Sequence, residues 1–162
     1  MWHAQGMQKA DMQPPPVSPD GPTGRRAVAA RRFVTDTVVR KRGPTVLLID
    51  DDSSVRESIG RVLVAEALQV VAARGVKDAL DHLGRNTPDL IITDLCMVPL
   101  SGLDLIIFLE NHHPTLPVFI VTALPMPFVG EARRKVSAVF QTPLDFDVLL
   151  AAIRRQLSVP VS

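Results

Sequence analysis

The chain has 162 residues, 46% of them apolar and 22% charged, which is enough for one packed core plus an extension and too apolar for disorder throughout. Cys96 is the only cysteine, which excludes an intrachain disulfide; no run of roughly 18 apolar residues offers an ordinary membrane span, no compact apolar N-terminal segment marks a secretory signal, and a cytoplasmic address is expected. A net charge of +1 conceals an asymmetry: residues 1–43 hold 8 Lys and Arg against 3 Asp and Glu, and residues 44–162 hold 10 against 14, so a basic leader is joined to an acidic domain.

Residues 1–24 contain Pro14, Pro15, Pro16, Pro19, Pro22 and three glycines, a composition read as disordered. From Arg25 to Arg42, the residues Val28, Phe33, Val34, Val38 and Val39 could give one side of a short helix, closed by Gly43-Pro44 because the residue before proline avoids the helical region. The leader is read as solvated; contact with nucleic acid, an anionic membrane or an acidic protein is the alternative. After Pro44, apolar runs alternate with amphipathic segments, the pattern of repeated βα units around a parallel sheet. Strands are predicted at Val46–Asp50, Gln69–Ala73, Leu90–Asp94, Val118–Ala123 and Val139–Gln141. Helices are predicted from a capping box of Ser54 and Glu57 through about Ala67, then over Val76–Leu83, Gly102–Asn111, Glu131–Val136 (a weak one) and Asp145–Leu157. The expected division is a leader over 1–43 and one α/β domain over 44–162, a three-layer sandwich.

Two of the apolar runs end in acids, Asp50, Asp51 and Asp52 after the first and Asp94 after the third. If those strands are neighbours in a parallel sheet, the acids meet at its carboxyl edge, where α/β sheets bind ligands. Each like-charged pair 4 Å apart costs about 4 kcal/mol at an effective dielectric near 20, so the cluster must protonate, spread apart or hold a cation. Carboxylates with room for water suit Mg2+ and phosphate oxygens, which points to metal-assisted phosphoryl handling with one aspartate as a candidate acceptor. His3, His82, His112 and His113 have neither nucleophilic nor zinc spacing and are read as surface residues.

The string VLLIDDDSSVRE, then LIITDLCM with Ser101-Gly102 behind it, then PVFIVTA, then a proline after a short strand, resembles the receiver domain of two-component response regulators. The resemblance spans Thr45 to Leu157. It implies a flavodoxin-like, doubly wound sheet of five parallel strands in the order 2-1-3-4-5, with the active pocket at the ends of the first, third and fourth strands. By motif, Asp94 matches the aspartate that takes a phosphoryl group from a histidine kinase or phosphotransfer protein. Asp50 and Asp51 match the Mg2+-holding pair, with Asp94 and the backbone carbonyl of Cys96 completing the implied ligand set. Thr122 matches the switch hydroxyl, and Ala123 leaves it room. Asp52 is read as a charge at a helix N-terminus rather than a further ligand.

The chain departs from the family pattern in several places. Thr142 precedes Pro143 where the family has a lysine, so the pocket lacks its fixed cation; Arg133, Arg134 and Lys135 are candidate substitutes. Pro99 stands one residue later than usual in the loop after Asp94. Pro125, Pro127 and Gly130 fall in the partner-binding fourth helix, whose start is expected to be irregular. Val139 occupies the aromatic switch position, unless a one-residue shift gives it to Phe140. Cys96 and Leu124 stand where the family tunes phosphoryl lifetime, and neither orients water well, so slow self-dephosphorylation is expected.

The expected protein is a non-enzymatic, stand-alone receiver with no DNA-binding domain, signalling through a downstream protein partner, with homodimerisation left open. Its rival is a pseudo-receiver, a binding module whose switching is impaired by Thr142. A third reading, an Mg2+ hydrolase with an aspartyl intermediate, is disfavoured because Cys96 stands where such enzymes usually carry a second aspartate.

Overall fold

A computed structural model of the chain describes residues 43–158; the predicted leader, with its short helix before Gly43, lies outside the described residues. Five strands, β1 (Thr45–Ile49), β2 (Gln69–Ala73), β3 (Leu90–Thr93), β4 (Val118–Thr122) and β5 (Ala138–Gln141), form one parallel sheet in the order β2-β1-β3-β4-β5. Apart from Thr45, every residue of β1, β3 and β4 is buried. Both faces of these central strands are covered, which is why they read as continuous apolar runs.

Alternate residues feed two cores. Val46, Leu48, Ile92, Phe119 and Val121 pack against Ile59 and Leu63 of α1 (Ser53–Ala65) and Leu149 and Ile153 of α5 (Phe146–Leu157). Leu47, Ile49, Ile91 and Ile120 pack on the opposite face against Ala79 and Leu83 of α2 (Val76–Leu83) and Leu105, Ile106 and Leu109 of α3 (Gly102–His112). Each fully buried Leu, Ile or Phe stabilises the fold by about 1.5–3 kcal/mol, so the sheet order is set by many concurrent burials. This is the three-layer, flavodoxin-like arrangement expected from the sequence.

The differences are local and have physical causes. The cap of α1 is Asp52, whose carboxylate accepts from the amides of Ser54 at 2.8 Å and Val55 at 3.4 Å. Capping two residues earlier brings Ser53 and Ser54 into the helix, and the expected Ser54–Glu57 box does not form. Glu57 instead pairs with Arg61 at 3.2 Å. The helix expected over Glu131–Val136 is replaced by a one-turn α4 (Met126–Val129) and a 3-10 turn over Gly130–Lys135. Pro125 and Pro127 are tolerated because first-turn amides have no partner inside the helix. Gly130, at φ 45°, then takes a left-handed conformation that ends α4. The fifth strand starts at Ala138, and Val139 pairs with Ile120 while Phe140 pairs with Val121. Val139 therefore faces the α3 and α4 layer, and Phe140 faces α5 with its ring 5.5 Å from that of Phe119. The register leaves Val139 at the aromatic position.

Candidate active site

Ile49 pairs with Thr93 in the β1–β3 ladder, so the next residues, Asp50 and Asp94, leave adjacent strands at the same level. The ladder continues one step beyond the strands, with the Asp94 amide donating to the Ile49 carbonyl at 3.1 Å and the Asp50 amide to the Ala73 carbonyl at 3.3 Å. Both acids therefore stand on ordered backbone at the sheet's carboxyl edge. Asp50, Asp51 and Asp94 each bring a carboxylate oxygen within 4.8 Å of the others. The two stretches of chain, distant in sequence, deliver their acids to one place, as the sequence argument required.

The three acids differ in setting. Asp50 is buried, Asp94 is partly buried and Asp51 is exposed. Burial pushes the Asp50 carboxyl up from 3.8 to about 6, against the lowering effect of the Asp52 amide, with Asp94, Asp51 and Asp52 adding further repulsion. That amide donates to Asp50 Oδ1 at 2.8 Å, leaving Oδ2 for another partner. One Asp94 oxygen accepts from the Leu95 amide at 2.7 Å. Octahedral ligands about 2.1 Å from Mg2+ lie about 3 to 4.2 Å apart, and acids gathered within 4.8 Å need draw in by only about half an ångström to meet that spacing. The elevated Asp50 carboxyl is a second sign of fit, since a bound cation would reverse the repulsion.

Gly102, the first residue of α3, approaches the backbone of Asp94 closely. A Cβ on it would sit 2.1 Å from the Asp94 carbonyl oxygen, so only glycine lets α3 begin there. Ser101 caps α3 with Asp104 in a reciprocal box. The sequence reading quoted Ser101-Gly102 without assigning this contact, although a glycine just inside a helix N-terminus is a legible sign of close approach.

Thr122 is fully buried at the end of β4, and its Oγ1 accepts from the Leu124 amide at 3.3 Å. Thr142 follows β5, its amide donating to the Thr122 carbonyl at 3.0 Å. The Thr142–Pro143 and Val98–Pro99 peptide bonds are cis. Thr142 is exposed and lines a cavity of about 280 Å3 with Ser54, Val55, Ser58 and Phe146 among others. Cys96 is exposed, and its thiol is raised above its usual value by desolvation and then by Asp94 and Asp51. It stays protonated near neutral pH, in keeping with a thiol outside the chemistry.

Lys135 does not replace the lysine absent at Thr142. Its Nζ lies 2.6 Å from Glu110 Oε2, in the last turn of α3, and α3 runs from the carboxyl edge of the sheet back to the opposite edge. The pair therefore sits at the far end of the domain from the acids. The cation that does reach the site was not singled out from the sequence: Arg56 Nη1 donates to the Asp50 backbone carbonyl at 2.6 Å. It grips the main chain and leaves the carboxylates uncompensated, consistent with the elevated Asp50.

The family model for the response regulator receiver domain matches residues 46–154. Among relatives, the DNA-binding transcriptional regulator NtrC of Escherichia coli (strain K12) is 32% identical over 120 residues, 70% of this chain and 24% of that protein. The response regulator protein PilR of Pseudomonas aeruginosa is 38% identical over 77 residues, 48% of this chain and 17% of that protein. The chain thus spans about a quarter or less of the length of these relatives. Among solved structures, a response regulator receiver protein from Pseudomonas putida superposes with a TM-score of 0.66 at 28% identity, covering 70% of this chain and 97% of the other. The fold is shared with TrrA of Thermotoga maritima, solved with Mg2+ and BeF, at a TM-score of 0.66 and 21% identity over 70% of this chain and 99% of that one. The sheet order, the acidic edge and the matched segment all coincide within residues 46–154, and the chain belongs to the response regulator receiver family of two-component signalling.

Proposed function

We propose that Asp94 accepts a phosphoryl group from the phosphohistidine of a histidine kinase or phosphotransfer protein. One Asp94 oxygen attacks phosphorus, the P–N bond breaks, and the imidazole leaves and takes up a proton. The observation that carries this reading is the meeting of Asp50, Asp51 and Asp94 oxygens within 4.8 Å at the carboxyl edge of a receiver-family sheet. Asp50, Asp51, Asp94 and the Cys96 backbone carbonyl would hold Mg2+, which when bound neutralises charge on the phosphoryl oxygens. The Leu95 amide, at 2.7 Å from Asp94 Oδ1, fixes the orientation of the acceptor carboxylate. Thr122, buried beside it in sheet order, serves as the switch hydroxyl, and Thr142 offers a hydroxyl where a cation is absent.

The output is a contact with a downstream protein, in a cytoplasmic, non-enzymatic receiver. DNA binding, part of the description of NtrC, is not assigned to this domain. Among the described residues, no helix is long and apolar enough to cross a membrane. A second reading, the pseudo-receiver, is favoured by one observation: Lys135 is engaged with Glu110 at 2.6 Å, so Lys135 does not supply the missing pocket cation.

Incubation with acetyl phosphate or phosphoramidate and Mg2+, followed by intact-mass measurement of wild type and Asp94→Ala, separates the readings. A gain of one phosphoryl in wild type alone supports the acceptor assignment. No gain in either sinks it in favour of the pseudo-receiver, and steady release of phosphate from an ester would make the domain a hydrolase.

A further inference from the structure

We propose that Gln141 is a positioning residue for Thr122, a side-chain latch that holds the β4–α4 loop and the switch hydroxyl in their resting arrangement. The proposal rests on the phosphoacceptor reading of Asp94.

Thr122 and Gln141 are direct neighbours in the β4–β5 ladder, and residues two apart on a strand share a face. Gln141 therefore lies on the same side of the sheet as Val139, two residues earlier, which packs toward the α3 and α4 layer. With a valine at that position, β5 places no aromatic ring against the loop, and the side chain that does reach it is Gln141. Its Nε2 donates to the Leu124 carbonyl at 3.0 Å. The amide of the same residue, Leu124, donates to Thr122 Oγ1 at 3.3 Å. One loop residue thus ties β5 to the switch hydroxyl through both of its main-chain polar groups.

In the proposed switch, Thr122 Oγ1 turns toward a phosphoryl group on Asp94 and gives up its bond from the Leu124 amide. Losing that acceptor frees the Leu124 amide, and the loop then moves with Thr122, taking the Leu124 carbonyl off Gln141. The Gln141 bond is made in the resting state and lost in the switched one, so it biases the equilibrium toward rest by the strength of one neutral hydrogen bond, about a five-fold effect. Gln141 is exposed, so changing its side chain removes no core packing.

The test uses beryllofluoride with Mg2+ as the probe for the switched state, titrated calorimetrically into wild type, Gln141→Leu, Gln141→Asn, Thr122→Val and the Thr122→Val/Gln141→Leu double variant. Asparagine is one methylene too short to span the gap, so both Gln141 variants should bind about five-fold more tightly than wild type, with faster exchange of the Leu124 amide before ligand is added. In the Thr122→Val background, the Gln141→Leu gain should vanish. Equal affinity for wild type and both Gln141 variants, or the same gain with and without Thr122, overturns the latch alone. Absence of beryllofluoride binding to wild type overturns the phosphoacceptor reading and the latch with it.

Discussion

Asp50→Asn should stabilise the metal-free domain at pH 8 and leave it unchanged at acid pH. Burial and three neighbouring carboxylates raise the Asp50 carboxyl from 3.8 to about 6, and a shift of that size corresponds to about 3 kcal/mol between the two protonation states. Asp51 beside it is exposed, so the pocket is open to solvent, and screening brings the usable effect to about 1–2 kcal/mol. The direction follows from proton linkage. Between about pH 4 and pH 6, the native state holds a proton that the unfolded chain has released, so stability is full below pH 4 and falls as pH rises through 6. Asparagine cannot ionise and keeps an oxygen to accept from the Asp52 amide, so it avoids this loss. At pH 8 without metal, the variant should melt about 4–8 °C above wild type by scanning calorimetry, and the two should converge below about pH 4. Mg2+ should raise the melting temperature of wild type at pH 8 and have little effect on the variant. A variant less stable than wild type at pH 8, or a difference that does not change with pH, would refute the electrostatic account of this pocket.

Three other outcomes follow from the same geometry. Thr142→Lys should bring a cation to the pocket and lower the Asp50 titration, followed by carboxyl NMR, while phosphorylation should then change amide exchange near Thr122 more than in wild type; identical behaviour would show that another cation already acts there. Gly102→Ala places a Cβ 2.1 Å from the Asp94 carbonyl, so it should destabilise the domain by about 1–3 kcal/mol in urea melts and slow phosphorylation by acetyl phosphate; an unperturbed melt would show that α3 starts with more freedom than the packing allows. Phosphorylated wild type should lose its phosphoryl group slowly, because the Cys96 thiol stays protonated and Leu124 offers no side-chain base; a half-life of seconds at room temperature, read by intact mass, would contradict this.

How much was legible in the sequence depended on whether a feature was local. The second strand and second helix lie where the pattern put them, Gln69–Ala73 and Val76–Leu83, because apolar periodicity and breakers at both ends mark such elements. Asp50 and Asp94 were legible as partners because a parallel sheet converts two strand ends into neighbours. Helix starts were less legible where two caps competed. Asp52 and Ser54 both suit an N-cap, and the earlier one prevails by adding Ser53 and Ser54 to the helix. The fourth helix was misplaced because its prolines read as breakers, although proline in a first turn sacrifices no helical bond.

Side-chain reach is the part that pattern alone cannot supply. Lys135 is only seven residues from Thr142 in sequence, yet β5 carries the chain the full height of the sheet between them. That places the ammonium beside Glu110 at 2.6 Å and away from the acids. Arg56 is the fourth residue of α1, where about one turn of helix brings a guanidinium back over the strand end, and it takes the Asp50 carbonyl at 2.6 Å. The same rule of proximity by register, not by sequence distance, makes Gln141 the neighbour of Thr122. A receiver without its lysine therefore still has polar groups placed against both the clustered acids and Thr122, but each grips backbone. The carboxylates themselves are left for a divalent ion to neutralise, and the domain's dependence on Mg2+ should be correspondingly steep.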